Sequence, residues 1–503
     1  MTLRALLVGP TLLLSACTVG PDYVRPPVET PGAFKEAQGW KVAQPRDHEA
    51  RGAWWEAFGD SVLNGFASQV DMNNQNIKFA EANVRQARAL TEQARAAFFP
   101  TVTGNASATR AGERGASANT SAGTGGRVGN VYNLSLDATW ELDLWGRVRR
   151  NIESSEAGER ASVADLESAK LSAQAELVQD YLLLRVQDAD IELLQTTVAA
   201  YETSLQLTKN QYAVGVAGRS DIVLAETQLR STQAQAINAG VQRARLEHAI
   251  AVLIGKPPSE LSIAPAPANR TFPEIPVGVP SELLERRPDI AAAERRAAAA
   301  NAQIGVAEAA FYPTLTLSAT GGFASSNIVN LLSLPNRYWA VGAMLAQTLF
   351  DAGLRRAHAE QAIAAYDGTV ATYRQMVLSG FQEVEDNLAA LRILAQEAEV
   401  QDEAVKAARE SVTITTNQYR AGTANYLAVV VVQTAALNNE RTAVTILGQR
   451  LVASVALIKA LGGGWSVTQG ADAAPKNGLR LGARSVAGEL HNHGSPVRVE
   501  PFI

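Results

Sequence analysis

The sequence predicts a mainly α-helical chain with a smaller membrane β part, built from two internal repeats. Three observations carry that prediction. Leu177, Leu184, Ile191, Val198, Leu205 and Tyr212 recur every seven residues within a proline-free stretch from Leu142 to Ile254. A sustained heptad keeps one apolar seam facing a partner helix, the pattern of a coiled coil. The stretch then recurs: Asn210-Gln211-Tyr212 returns as Asn417-Gln418-Tyr419, Gly215 as Gly422 and Ile254-Gly255 as Leu461-Gly462, each pair 207 residues apart. Adding that offset to the heptad gives Val384, Leu391, Ala398, Val405, Val412 and Tyr419, again without a charge. Lastly, from Tyr132 to Leu144 apolar and polar residues alternate strictly, as in a strand between two different solvents.

The elements follow in order. The chain has 503 residues and a net charge of −5, which gives no electrostatic case for nucleic acid. No run of 18 apolar residues occurs beyond the N-terminus, so no transmembrane helix is predicted. Arg4 and the apolar run Ala5 to Leu14 read as an export signal, ending in Leu14-Ser15-Ala16-Cys17. Cys17 is the sole cysteine, so no internal disulfide can form. Small residues before a cysteine at this spacing look like a bacterial lipobox, making Cys17 a lipidated N-terminus and residues 1–16 the signal peptide. Thr18, rather than an aspartate, suggests outer-membrane delivery by the sorting rule of such lipoproteins. The stretch 17–60 is punctuated by Pro21, Pro26, Pro27, Pro31 and Pro45 and reads as an extended tether rather than a folded unit.

The first repeat, 61–256, opens with a helix from Ser61 to Ala97. Transmembrane strands are expected over about 100–110 and 131–144, with a Gly/Ser-rich loop between them. On the second strand Tyr132, Leu134, Leu136, Ala138, Trp140, Leu142 and Leu144 would face lipid. Asn133, Asp137, Glu141 and Asp143 would face a wet lumen. A coiled-coil hairpin over 146–255 follows, turning at Gly215 to Gly218, with Ser220 and Asp221 offering an N-cap to the return helix. Residues 257–284 form a proline-rich mid-body linker. The second repeat, 285–462, restarts a helix around Glu282 to Asp289 and places strands over about 313–323 and 338–350. Gln347 breaks the apolar face of that last strand. A second hairpin spans 353–461, and Glu383-Val384-Glu385-Asp386 within it reads as a solvated helix face. The tail, 463–503, reads as disordered.

Four strands cannot close a barrel, and an open sheet edge in lipid leaves backbone groups unsatisfied. Copies of the chain must therefore share one barrel. Two would give eight strands and a filled interior; three would give twelve and room for a lumen. The five histidines are scattered without metal-ligand spacing, and no phosphate-binding loop or nucleophile elbow occurs, so no enzyme and no cofactor beyond a covalent lipid on Cys17 is predicted.

These residues carry a resemblance. Cys17-Thr18-Val19-Gly20-Pro21-Asp22-Tyr23, Arg287-Pro288-Asp289-Ile290-Ala291, Phe311-Tyr312-Pro313, Phe350-Asp351-Ala352-Gly353 and Tyr419-Arg420-Ala421-Gly422-Thr423 stand in the order of the TolC-like outer membrane factors. The chain resembles the lipoprotein branch that pairs with resistance–nodulation–division pumps. The resemblance implies a homotrimer, with a twelve-stranded β-barrel in outer-membrane lipid continuous with a coiled-coil α-helical barrel in the periplasm. It implies an exit duct for small toxic compounds, fed by an inner-membrane resistance–nodulation–division transporter and a periplasmic membrane-fusion adaptor. The adaptor-contacting tips would be Val214, Gly215, Val216, Ala421, Gly422 and Thr423, and the periplasmic gate Asp221, Tyr419 and Arg420. Ala424, Ala428 and Val431 depart from the polar residues usual at the family's gate. A type I secretion duct shares this fold and differs in cargo. A periplasmic adaptor lipoprotein would carry one hairpin rather than two.

Overall fold

A computed structural model describes residues 18–36, 53–113, 127–268, 272–273, 280 and 286–463. The signal peptide, Cys17, residues 114–126 of the first strand loop, much of the linker and the tail from 464 lie outside the described residues. Helix α1 (Ser61–Asn73) is capped by Asp60, whose carboxylate accepts from the Val62 and Leu63 N–H groups. The single helix expected over 61–97 is in fact two. Asn74 adopts extended dihedrals, caps α2 (Gln75–Ala96) through its side-chain oxygen, and donates to the Leu253 carbonyl at 2.9 Å. A capping residue competes with helix continuation, and here a tertiary hydrogen bond rewards the break.

Strands β1 (Thr101–Glu113) and β2 (Arg127–Leu142) form a hairpin. Then come the long helix α3 (Arg147–Ala213) and its return α4 (Arg219–Leu253). The second half supplies α5 (Pro288–Ala309), β3 (Thr314–Ser325), β4 (Arg337–Ala346), α6 (Leu354–Arg420) and α7 (Tyr426–Ala460). The restart expected from Glu282 falls partly outside the described residues; Arg287 is extended and α5 begins at Pro288, whose fixed φ suits a first helical position. Both α3 and α6 contain 67 residues, about 100 Å of helix at 1.5 Å per residue.

The sheet is antiparallel in the order β1-β2-β3-β4, so β1 and β4 are its edges. The helices repeat that lateral order. In the tier below the sheet, α3 packs against α2 and α5, and α5 against α6. Farther down, α3 packs against α4 and α7, and α7 against α6. One edge of the chain is thus β1, α2 and α4 throughout; the other is β4 and α6.

The two halves turn their corners alike. Gly215 and Val216 donate to the Tyr212 and Gln211 carbonyls, and Gly422 and Thr423 donate to those of Tyr419 and Gln418. Trp140 Nε1 donates to the Phe98 carbonyl at 3.0 Å, and Gln347 Nε2 to that of Phe311 at 3.0 Å. Gln347 therefore does not break a strand: β4 ends at Ala346, short of the expected Phe350, and the glutamine seals the sheet-to-helix junction.

The heptad core is deepest near the middle of the molecule. Leu177, Leu184, Val384 and Leu391 are buried, with Ile191, Val198, Ala398, Val405 and Val412 half-buried. At the tips the halves differ: Tyr419 is buried and Tyr212 is exposed. Tyr419 stacks edge-on against Tyr426 at 5.3 Å, and the position equivalent to Tyr426 in the first half is Arg219. The first tip lacks the second ring.

Candidate functional site: sheet lining, helix tips and anchor segment

The register of the sheet sorts its two faces. Leu136 lies between Gly104 and Gly321, Ala138 between Val102 and Ala319, and Trp140 pairs with Leu317. In β4 the same face carries Trp339, Val341, Ala343 and Leu345. The opposite face carries Thr103, Asn105, Ser135, Asp137, Thr139, Thr316, Ser318 and Thr320. At its centre Asp137 accepts hydrogen bonds from Asn105 (2.7 Å), Ser135 (2.8 Å) and the Thr320 hydroxyl. Asn133 accepts from the Tyr338 hydroxyl at 2.8 Å. All four strands thus contribute to one hydroxyl-rich surface.

Two of the expected lumen acids do other work. Glu141 receives Arg147 in a two-pronged pair at 2.9 and 2.6 Å. Asp143 lies past the end of β2, and its carboxylate accepts from the Val148 and Arg149 N–H groups and from Arg149 Nε. Its assignment to the lumen is corrected: alternation carried one residue too far, and Asp143 anchors the first turn of α3, where the helix end favours negative charge. Asp351 plays the same part for α6, accepting from Gly353 N–H and from Arg355 Nε at 2.5 Å, and these bonds hold its carboxyl below the usual range.

At the tips Gly215 and Gly422 have φ of +80° and +75°, the left-handed conformation a tight turn requires. Val214 and Val216 are exposed. Asp221 is not the N-cap; Gly218 is, and Asp221 stands in the first turn with its carboxylate accepting the Gly218 N–H at 3.1 Å. The Tyr419 hydroxyl donates to Thr208 at 3.3 Å, and Arg420 reaches Asn417 at 3.5 Å. Burial and then the nearby Asp221 carboxylate push the Tyr419 phenol up. Within one chain the three expected gate residues are neighbours that bond elsewhere.

The segment expected to be an extended tether has no helix or strand over its described residues 18–36, and it is fitted to the body as a strap. Val19 N–H donates to the Trp145 carbonyl at 3.0 Å. The buried Arg150 guanidinium holds the carbonyls of Val19 (3.2 Å) and Gly20 (3.0 Å) and the Asp22 carboxylate (2.8 Å). Gly20, at φ +93°, lies so close to Gly305 that a side chain there would meet backbone at 2.4 Å. Farther on, Tyr23 donates to Glu294 at 2.8 Å, Phe34 enters the core of α5, α6 and α7, and Glu36 pairs with Arg392 at 2.6 Å. The acidic run at Glu383 to Asp386 is correspondingly not a plain solvated face. Glu383 receives Arg287, and Glu385 accepts the Lys35 and Glu36 N–H groups at 2.6 and 2.9 Å. Proline spacing alone could not reveal these partners, because they lie about 350 residues away in the chain.

Comparison with known proteins agrees with this geometry. The chain is 32% identical to the solvent efflux pump outer membrane protein SrpC of Pseudomonas putida over 477 residues, covering 93% of this chain and all of that one. It is 30% identical to nodulation protein T of Rhizobium leguminosarum bv. trifolii over 428 residues, covering 83% and 88% of the two chains. Its fold superposes on the outer-membrane channel OprN with a TM-score of 0.84 at 32% identity, covering 89% of this chain and all of that one. The profile of the outer membrane efflux proteins matches residues 67–256 and 279–463. With matches that span most of its length, the chain belongs to the outer membrane efflux protein family and is an outer-membrane exit duct for efflux.

Proposed function

We propose that three copies of this chain close into one duct, which carries small toxic compounds out through the outer membrane as the last stage of a tripartite pump. The observation that carries the reading is the matched pair of open edges. The sheet ends in unpaired β1 and β4, and the helix tiers end on the same sides in α2 or α4 and in α6. Joining unlike edges head to tail generates a ring. Three copies give twelve strands over twelve helices, and the face with Asn133 and Asp137 then lines the barrel. Outer-membrane lipid covers the opposite face. The tips Val214, Gly215, Val216, Ala421, Gly422 and Thr423 meet a periplasmic adaptor, which couples the duct to an inner-membrane resistance–nodulation–division transporter. Asp221, Tyr419 and Arg420 bias the closed mouth, the second carboxylate oxygen of Asp221 accepting from a neighbouring tip. Lipid on Cys17 anchors the strap, whose first described residues sit at the sheet-to-helix junction.

Light scattering of detergent-purified protein tests the assembly: the expected mass is that of a trimer, and a monodisperse monomer would refute the shared barrel. In planar bilayers Asp221→Ala should raise single-channel conductance. Unchanged conductance from an intact trimer would leave Asp221 as a helix-end acid alone. For cargo, deletion of the gene should sensitise cells to a set of lipophilic toxicants, and the pump that co-purifies identifies the energy source.

A further inference from the structure

The internal repeat lets one contact of the chain serve as a template for a contact it lacks. Inside the chain the long helix of the first half, α3, packs along the return helix of the second, α7. The counterpart would set the long helix of the second half, α6, along the return helix of the first, α4. Among the described residues α4 packs on α3, and α6 packs on α5 and α7. The counterpart is therefore left to a neighbouring copy. Both faces that would meet are free. On α4 Ala225, Leu229, Leu246 and Ile250 are buried toward α3, and the stripe half a turn away carries Val223, Ile237, Val241, Arg245 and His248, all exposed. On α6 Val384, Leu388 and Leu391 are buried toward α5 and α7, and the far stripe carries Glu383, Asp386, Ile393 and Val400, all exposed.

The template gives the register. Leu183 and Val186 of α3 flank Gly448 of α7. The 207-residue offset carries Gly448 back to Val241, Leu183 on to Ala390 and Val186 on to Ile393. The volumes exchange across the contact: glycine beside leucine becomes valine beside alanine. Val241 and Ile393, each exposed in one chain, then cover each other. Counting up the antiparallel pair, Arg245 falls opposite Asp386 after one turn, and His248 opposite Glu383 after two. Inside the chain those places hold Val452 and Val455 against Gln179 and Glu176, so the opposed charges belong to the boundary alone. The Asp190–Arg441 ion pair of the template is in turn not repeated, its places being Glu397 and Ala234. Arg245 and His248 make no hydrogen bond or ion pair among the described residues. Asp386 accepts only from Gln382 of its own helix, at 3.3 Å, and Glu383 gives one of its two oxygens to Arg287.

We infer that Arg245 and His248 of one copy clasp Asp386 and Glu383 of the next, and that this clasp sets the register of the subunit boundary and selects copies of this chain over related duct proteins. Charges across a boundary act more on register and partner choice than on affinity, because a wrong partner brings like or unpaired charges together. Arg245 supplies a permanent charge, and the imidazole of His248 has an N–H to donate whether or not it is protonated. The inference rests on the ring proposed above.

The test is charge exchange, read as the temperature at which the trimer dissociates in detergent. Arg245→Glu and Asp386→Arg should each lower it, and the two together should restore it toward wild type, a rescue that two separately damaged folds do not give. Losses that simply add would overturn the clasp. Made in the same cells under different tags, wild-type chains and chains carrying both exchanges should sort into separate trimers, since every mixed ring contains a boundary with like charges. Free mixing would overturn partner choice. A further arm needs no change of charge. Val241→Cys combined with Ile393→Cys should link copies through a disulfide on non-reducing gels, with each single variant as control. Linkage of Val241→Cys to Val400→Cys instead would move the register by two turns and overturn it. Wild-type protein that scatters light as a monomer fails the ring itself, whereas a trimer with neither rescue nor linkage fails this inference alone.

Discussion

Gly255 and Gly462 end the two return helices at φ of +72° and +86°. A Cβ on either would lie 2.6 Å from a backbone carbonyl oxygen, of Asn73 in the first half and Arg286 in the second. Gly215 and Gly422 share the conformation but face open space. Gly422→Ala should therefore cost only the left-handed penalty of about 1–2 kcal/mol, and Gly462→Ala distinctly more. Equal losses in denaturant melts would show that the Arg286 backbone yields. Adjacent residues of β2 make a sharper contrast. Leu136→Arg places a charge on the face proposed to meet lipid, at about 2–4 kcal/mol near the midplane. Asp137→Arg, on the hydroxyl-lined face, should assemble and change conductance. Reversed outcomes in an outer-membrane insertion assay would put the register one residue out.

Among the elements, the break before α2 explains why the helix expected over 61–97 is two, and an extended Arg287 likewise precedes α5. Asn74 and Arg287 occupy equivalent places, and each reaches the end of its own return helix, at the carbonyls of Leu253 (2.9 Å) and Ala460 (3.2 Å). Arg287 also holds Asp289 and Glu383, each at 2.6 Å. Arg287→Ala should cost on the order of 2–3 kcal/mol, less than the 3–5 of a fully buried pair because Glu383 is partly solvated. Arg287→Lys should recover little, since a single ammonium cannot grip two carboxylates and a carbonyl in that planar arrangement. Thermal unfolding indistinguishable from wild type in the alanine variant would show that the break is held by Pro288 alone.

At the scale of the whole molecule the strap ties the N-terminal segment to the body. From Thr18 beside Gly146 it runs over α5 to Arg392 on α6, at the edge proposed to meet the next copy. Cys17→Ser should abolish incorporation of labelled palmitate while the trimer still forms, because the strap is held by Arg150, Glu294 and Glu385 rather than by the lipid. Palmitate still entering the serine variant would sink the anchor assignment. Loss of the trimer would instead show that acylation is needed to seat the strap.

By itself the sequence determined what is periodic or repeated: the heptads, the strand alternation and the glycine tips, each written by neighbours a few residues apart, and the 207-residue echo, written as two stretches of matching residues. It also showed that four strands cannot suffice in lipid. Only the tertiary structure decided what depends on distant partners. Asp143 became a helix anchor rather than a lumen acid because β2 stops at Leu142, and Gln347 became a junction seal because Phe311 presents a carbonyl to it. The proline-punctuated N-terminus became a strap because Arg150, Gly305 and Glu385 receive it, and no local spacing encodes a contact across hundreds of residues.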